Sequence, residues 1–286
     1  MPSAVATTYA VNARSRSVAR SWASEEGSGL VMVVVIVYQN PGRRAGVAGV
    51  GRNLSVARKI AVTTTVRRMS GCCDPSGYPE VFDKKTAARD VRSFLDKGLD
   101  STAKPMVEAL RSRGMEGSTV LEVGAGAGAA LATMLEAGAT GAVGIDISPH
   151  YVKAARLLMS DRGHEEKVAW HIGDFVAMSE SLEPADVVFL NRVVCCYPNM
   201  VDMVDAAKGS TTRLLAMAYP RKRWSTRIVF GLINTWARIR RNTFRVFVHD
   251  PESIRRRVGS PDFEEVASGT TVLWHWKVWE RTAGSR

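Results

Sequence analysis

The stretch that most constrains the fold is Val120-Leu-Glu-Val-Gly-Ala-Gly-Ala-Gly-Ala130. An apolar run from Thr119 to Val123 reads as a short buried strand. Gly124, Gly126 and Gly128 then alternate, and an Ala/Leu-rich helical pattern follows. A strand, a glycine turn and a helix in immediate succession make a nucleotide-binding loop. Glycine accepts the tight backbone geometry and lets a ligand approach the main chain, while the helix start offers N–H groups without intrahelical partners. The loop by itself does not say which nucleotide.

A regular alternation surrounds it. The pattern predicts a helix over about Gly128–Ala137, a strand at Ala142–Ile147, and a helix that Ser148 caps and Pro149 opens, running to about Arg162. Strands follow at Lys167–Ile172, Ala185–Leu190 and Arg213–Tyr219, with a short helix after Gly173-Asp174-Phe175 and another near Asn199–Lys208. Five strands alternating with helices imply a mostly parallel sheet covered on both faces. Ahead of it, helical patterns at Asp83–Lys97 and Ser101–Ser112 are closed by Gly98 and Gly114 and read as a cap over the sheet edge, residues 69–116. Beyond Pro220, Trp224–Arg241 is an amphipathic helix in which Trp224, Ile228, Leu232, Ile233, Trp236 and Ile239 share a face. A strand-like Phe244–His249 and a short helix Pro251–Val258 come next. Two strand-like runs, Phe263–Ala267 and Thr271–Glu280, then read as a hairpin, with Val272, Trp274, Trp276 and Val278 pointing inward.

Charge is distributed unevenly. Of the net +11, residues 1–68 carry ten Lys/Arg against two acids and residues 221–257 carry eleven against two, so the remainder is mildly acidic. Residues 1–68 show no helical or strand period and are expected to form an extension without a fixed fold; Met69 opens a segment of different character. The apolar run Leu30–Tyr38 is a poor secretory core, because Glu25 and Glu26 precede it where positive charge is expected. No apolar run reaches the roughly 20 residues needed to span a bilayer. Four cysteines stand as two adjacent pairs, Cys72-Cys73 and Cys195-Cys196, without the spacing of a zinc knuckle, so no metal site is assigned and reduced thiols in the cytoplasm are expected.

Gly124-Ala-Gly-Ala-Gly-Ala129 satisfies the dinucleotide pattern G-x-G-x-x-G/A, which leaves an NAD-dependent oxidoreductase open. Three acids narrow the choice. Glu122 sits two residues before the first glycine, within reach of an amine near the loop. Asp146 ends the second strand, 22 residues after Gly124, and suits a pair of ribose hydroxyls. Asp174 follows the third strand, placed for an adenine amino group, with Phe175 beside it to contact the ring.

Glu-Val-Gly-Ala-Gly-Ala-Gly, then Gly-Ile-Asp-Ile-Ser, then Gly-Asp-Phe, then Ala-Asp-Val-Val-Phe-Leu-Asn resembles the class I S-adenosylmethionine-dependent methyltransferases over about residues 117–220. The resemblance implies a Rossmann-like, seven-stranded, mostly parallel α/β sheet with a terminal antiparallel hairpin, in a methyltransferase domain over 117–286 with a basic helical insert at 221–258. It also implies S-adenosyl-L-methionine as cofactor, with Glu122 on the amino group, Asp146 on the ribose, Asp174 on the adenine and Asn191 near the methionine and methyl group. Gly124, Ala125, Gly126, Gly128, Ile147 and Phe175 complete the expected set. The C-terminal part, about 215–281, loosely resembles magnesium-protoporphyrin O-methyltransferases.

For the methyl acceptor, Asn191–Pro198 and Tyr219–Trp224 both follow strands at the carboxyl edge, where open α/β sheets bind ligands. Tyr197, Arg223, Arg227 and His249 are the expected substrate-binding residues. The arginines favour a small anionic acceptor such as a carboxylate, which needs no general base, and no catalytic side chain is assigned. Nothing resembles a dedicated RNA-binding module, so no nucleic acid is expected, whereas the basic helix with Trp224 and Trp236 suits contact with an anionic membrane surface. Convergence of both cysteine pairs on a soft ion would instead make the chain a metalloid methyltransferase.

Overall fold

In the computed structural model, which describes residues 78–259 and 261–282, the glycine loop leaves the end of a strand that is buried from its second residue onward, β1 (Thr119–Val123). Beside it lie β2 (Gly141–Asp146), β3 (Val168–Ile172), β4 (Ala185–Asn191) and β5 (Thr211–Pro220), all parallel, while β6 (Phe263–Thr270) and β7 (Trp274–Arg281) form an antiparallel hairpin. The sheet order is β3-β2-β1-β4-β5-β7-β6, and β7 runs antiparallel against β5. The expected seven-stranded class I methyltransferase sheet is therefore present. After β3 the chain returns to place β4 beside β1. That reversal of direction makes the β1/β4 junction the crevice where such sheets bind ligands.

Nine helices are described: α1 (Tyr78–Val81), α2 (Lys84–Lys97), α3 (Ala103–Ser112), α4 (Ala129–Glu136), α5 (Pro149–Asp161), α6 (Phe175–Met178), α7 (Met200–Gly209), α8 (Trp224–Ile239) and α9 (Pro251–Gly259). Both faces of the sheet are covered, so its central strands carry unbroken apolar runs instead of alternating ones. In β4, Val187 and Phe189 pack with Met106 and Leu110 of α3 and Leu131 and Met134 of α4, while Val188 and Leu190 join Met203 and Val204 of α7 and Ile254 and Val258 of α9. Each such side chain contributes about 1.5–3 kcal/mol by leaving water. Ser148 caps α5 as expected, accepting from the Tyr151 N–H at 3.4 Å, with Pro149 in the first turn.

Two expectations need correction. Phe244–His249 is irregular, not a strand, because its main chain is satisfied elsewhere. The Asn234 amide donates to the Val246 carbonyl and accepts from its N–H, both at 2.9 Å, and Phe247 N–H donates to the Cys195 carbonyl at 2.7 Å. Helix α8 carries the expected apolar face, which points outward, and the residues buried against the body are Thr226, Phe230 and Ala237. Finally, β7 starts at Trp274, so Val272 is exposed in the turn, and inward packing is shared between Val278 on one face and Trp279 on the other. The expectations for residues 1–68 and for Cys72 and Cys73 lie outside the described residues. No helix among the described residues is long and apolar enough to cross a membrane.

Candidate functional site

A cavity of about 740 Å³ opens over the carboxyl ends of β1, β2 and β4. That volume falls within the roughly 300–1,000 Å³ of small-molecule sites. Its floor is the glycine loop. Ala125 N–H donates to the Ile145 carbonyl at 2.9 Å and Gly126 N–H to Asp146 Oδ2 at 2.8 Å, which ties the loop to the end of β2. Gly124 has φ +63°, and a Cβ there would stand 2.5 Å from Val193 Cγ2, so any side chain would be both strained and obstructed. Gly124, Ala125 and Gly126 line the cavity, whereas Gly128 does not. The Gly128 Cα instead faces α5, where a Cβ would lie 3.0 Å from Ala155 Cβ and 3.1 Å from Met159 Cε.

Glu122, only 3% exposed, reaches the cavity wall, and its Oε2 accepts from Leu131 N–H at 3.1 Å. Burial pushes its pKa well above the ordinary carboxylate range, with Asp146 and Asp100 adding repulsion against that one hydrogen bond. A carboxylate so placed is completed by a cation, and an ammonium group entering the cavity would offset its desolvation. Asp146 is also raised by burial, although Ser148 N–H and Gly126 N–H, each at 2.8 Å, pull in the other direction. Both of its oxygens retain lone pairs beyond those bonds. Asp174 caps α6 through Oδ1, which accepts from Val176 N–H at 2.9 Å, and its Oδ2 accepts from the Tyr197 hydroxyl at 3.3 Å. Ile147 and Phe175 share the same wall.

Asn191, at the end of β4, joins a polar cluster that the sequence did not reveal. Its Nδ2 donates to Asp100 Oδ2 at 2.8 Å. The Thr102 hydroxyl stands 2.6 Å from Asp100 Oδ1 and 2.7 Å from Asn191 Oδ1, its single proton serving one of them. Asp100 Oδ1 further accepts from Thr102 N–H and Ala103 N–H, at 2.8 and 3.1 Å, and from Arg192 Nη2 at 2.8 Å. Although burial acts to raise Asp100, the Thr102 hydroxyl, the Arg192 charge and the two N–H groups hold it below the usual carboxylate value. Arg192 itself adopts φ +62° and lays its guanidinium over Trp274 at 5.3 Å. Asp100, Asn191 and Arg192 all line the cavity. The one signal for Asp100 in the sequence is Asp-Ser-Thr ahead of a helical pattern, a helix-start signature.

Part of the wall is aromatic. Tyr78 and Phe82 of the N-terminal cap face the cavity, and both ring systems meet Phe244 edge-on at 5.3 and 5.5 Å. The α1 segment is fastened at both ends: the Tyr78 hydroxyl donates to the Cys196 carbonyl at 2.5 Å and the Ser148 hydroxyl to the Phe82 carbonyl at 2.6 Å. Of the expected acceptor residues, Tyr197 lines the cavity beside Asp174, whereas Arg223, Arg227 and His249 are not among its walls. Arg223 and Arg227 are exposed, and His249 Nε2 lies 2.8 Å from the Tyr197 carbonyl. Cys196 is on the wall, with Cys195 Sγ 3.5 Å from its sulfur. The neighbouring thiol and burial keep Cys195 well above the ordinary thiol pKa, so it is not a ready thiolate ligand. Among the described residues no group of three or more His, Cys, Asp or Glu is arranged to hold a metal ion.

Residues 120–215 match a family model described as "Methyltransferase domain". A curated relative, the ribosomal protein L11 methyltransferase of Photorhabdus laumondii, is 33% identical over 108 residues, a match that spans 35% of this chain and 35% of that protein. Among solved structures, the magnesium protoporphyrin IX methyltransferase from Synechocystis PCC 6803 with bound SAH superposes with a TM-score of 0.58 at 18% identity, covering 73% of this chain and all of that one. An O-methyltransferase family protein from Burkholderia thailandensis gives 0.56 at 18% identity over 76% of this chain and 66% of that chain. Both likenesses establish the fold.

Proposed function

We propose that this chain, which carries an S-adenosylmethionine-dependent methyltransferase domain of class I fold, moves the methyl group to a small organic anion bound under the N-terminal cap. The observation that carries the reading is one cavity whose wall holds Glu122, Asp146 and Asp174 together with Tyr78 and Phe82. S-adenosylmethionine, when bound, supplies a methyl group on a sulfonium, whose leaving group is a neutral thioether. Glu122 then offers its buried carboxylate to the amino group, Asp146 its free lone pairs to the ribose hydroxyls, and Asp174 with Tyr197 a polar edge to the adenine.

Asn191 and Arg192 line the same cavity and position the acceptor. Asp100 fixes both through the bonds described above, and its low pKa makes it a weak proton acceptor. That favours an acceptor which is already nucleophilic, such as a carboxylate. Its oxygen lone pair bonds to the methyl carbon as the carbon–sulfur pair returns to sulfur, and no proton has to move. The protein then needs only to align the reacting atoms and exclude water. Among the described residues Arg192, and not the exposed Arg223 or Arg227, is the cation that lines the cavity. A roofed cavity also suits a small molecule better than a nucleic-acid strand.

The test is methyl transfer from labelled S-adenosylmethionine to a panel of aromatic and aliphatic carboxylic acids, alongside the matching alcohols and phenols. Product masses should show methyl esters, with turnover of the alcohols at least tenfold lower. Preferential methylation of phenols or amines would overturn the carboxylate reading, and binding of NAD without binding of S-adenosylhomocysteine would overturn the roles given to the three acids.

A further inference from the structure

Helix α8 turns its apolar stripe to the outside. Trp224, Ile228, Leu232, Trp236 and Ile239 recur at i, i+4, i+8, i+12 and i+15, one face of a helix, and are 53–77% exposed. The opposite side is the packed one, with Phe230 6.0 Å from Trp274 of β7. No described element covers the stripe. Val272, 79% exposed, adds to the apolar surface near the helix start, since its neighbours Thr271 and Leu273 are both hydrogen-bonded to Arg221. Five large apolar side chains aligned in solvent exceed the scattered exposed residues that any surface carries.

Cations border the stripe. From Arg221 to Arg241 there are seven Lys/Arg and no Asp or Glu. Helical spacing puts Arg227 and Arg238 along one edge of the stripe and Arg240 along the other. Among the described residues only Lys222 of the seven forms an ion pair, with Asp250 at 2.9 Å. Arg240 lies over the Trp236 ring at 4.9 Å.

We propose that this face docks on an anionic lipid bilayer, the Trp/Ile/Leu stripe entering the headgroup–acyl boundary and the flanking guanidiniums meeting lipid phosphates. Charge decides among the occupants. A second copy packed through the same face would bring two sets of unpaired arginines together. A nucleic acid would satisfy the arginines and leave the stripe in water. Only a surface that is apolar beneath and anionic above satisfies both halves. The cavity wall at Arg192 is linked by two side-chain contacts, through Trp274 and Phe230, to the inner side of the helix that would lie on the bilayer.

Co-sedimentation of the full chain with phosphatidylcholine vesicles containing about a third phosphatidylglycerol tests this, against pure phosphatidylcholine. Binding is expected only to the anionic vesicles, with a blue shift of tryptophan fluorescence, and should weaken as salt is raised. The double variant Leu232→Glu/Trp236→Glu should lose at least about tenfold in vesicle affinity while its S-adenosylhomocysteine titration stays unchanged. Arg227→Gln/Arg238→Gln provides a second variant that keeps the stripe intact and should flatten the salt dependence. The proposal is overturned if the wild type stays in the supernatant, if both variants bind vesicles like the wild type, or if the glutamate variant instead dissociates a dimer that never binds lipid.

Discussion

At the scale of single residues, Glu122 and Asp100 make opposite predictions. Glu122→Gln keeps the side-chain volume and an acceptor for Leu131 N–H but removes the charge. Its affinity for S-adenosylmethionine should fall at least about tenfold by calorimetric titration, the low end of what a hydrogen bond to a charged group contributes. The ligand-free protein should change the other way. A carboxyl whose folded pKa is raised keeps its proton in the folded state while the unfolded chain has released it, so stability falls as pH rises from the ordinary carboxylate value toward the raised one. Ligand-free Glu122→Gln should therefore melt above wild type at neutral pH, and the gap should close in acid. Asp100 is lowered, so its contribution is complete above the unfolded value and is lost as pH falls through the lowered one. Asp100→Asn should melt below wild type at neutral pH and converge with it in acid; a gap that widened in acid would refute that account. The three acids at strand ends were legible because each sits in a short linear motif. The Asp100–Arg192 pair was not, since 92 residues separate its members and only the packing of α3 beside β4 brings them together.

At the scale of elements, the βαβ alternation was readable because both faces of the sheet are covered and each strand carries its own apolar run. The direction of α8 was not. Periodicity reports which face is apolar, not whether anything lies against it, and here a small face of Thr226, Phe230 and Ala237 is the buried one. Gly128 marks the point where loop becomes helix. It was expected at the ligand but lies against α5, so Gly128→Ala should act through stability more than through binding. Positive φ and contacts near 3.0 Å predict a loss of about 1–3 kcal/mol, or roughly 3–10 °C in Tm for a domain of this size. Calorimetric melting with a parallel S-adenosylhomocysteine titration checks this, and an unchanged Tm would place the residue elsewhere.

For the whole molecule, the cavity lies between the sheet and a cap fastened at Cys196 and Ser148, so a ligand that fills it braces α1 and α2 against β4 and β2. With S-adenosylhomocysteine at 100 times its Kd, stability should rise by about 2.7 kcal/mol, a Tm shift of roughly 5–10 °C, while NAD should leave the melt unmoved. The sheet also has a consequence for synthesis. The outer edge of β5 is closed by β7 and not by the next strand to emerge, and 54 positions separate Pro220 from Trp274. Until β7 leaves the ribosome, β5 presents an open row of peptide groups flanked by apolar side chains, a template for pairing with a neighbouring nascent chain. Chains stalled before Trp274 should therefore aggregate or recruit chaperones, even though every residue of the proposed cofactor site has already been made.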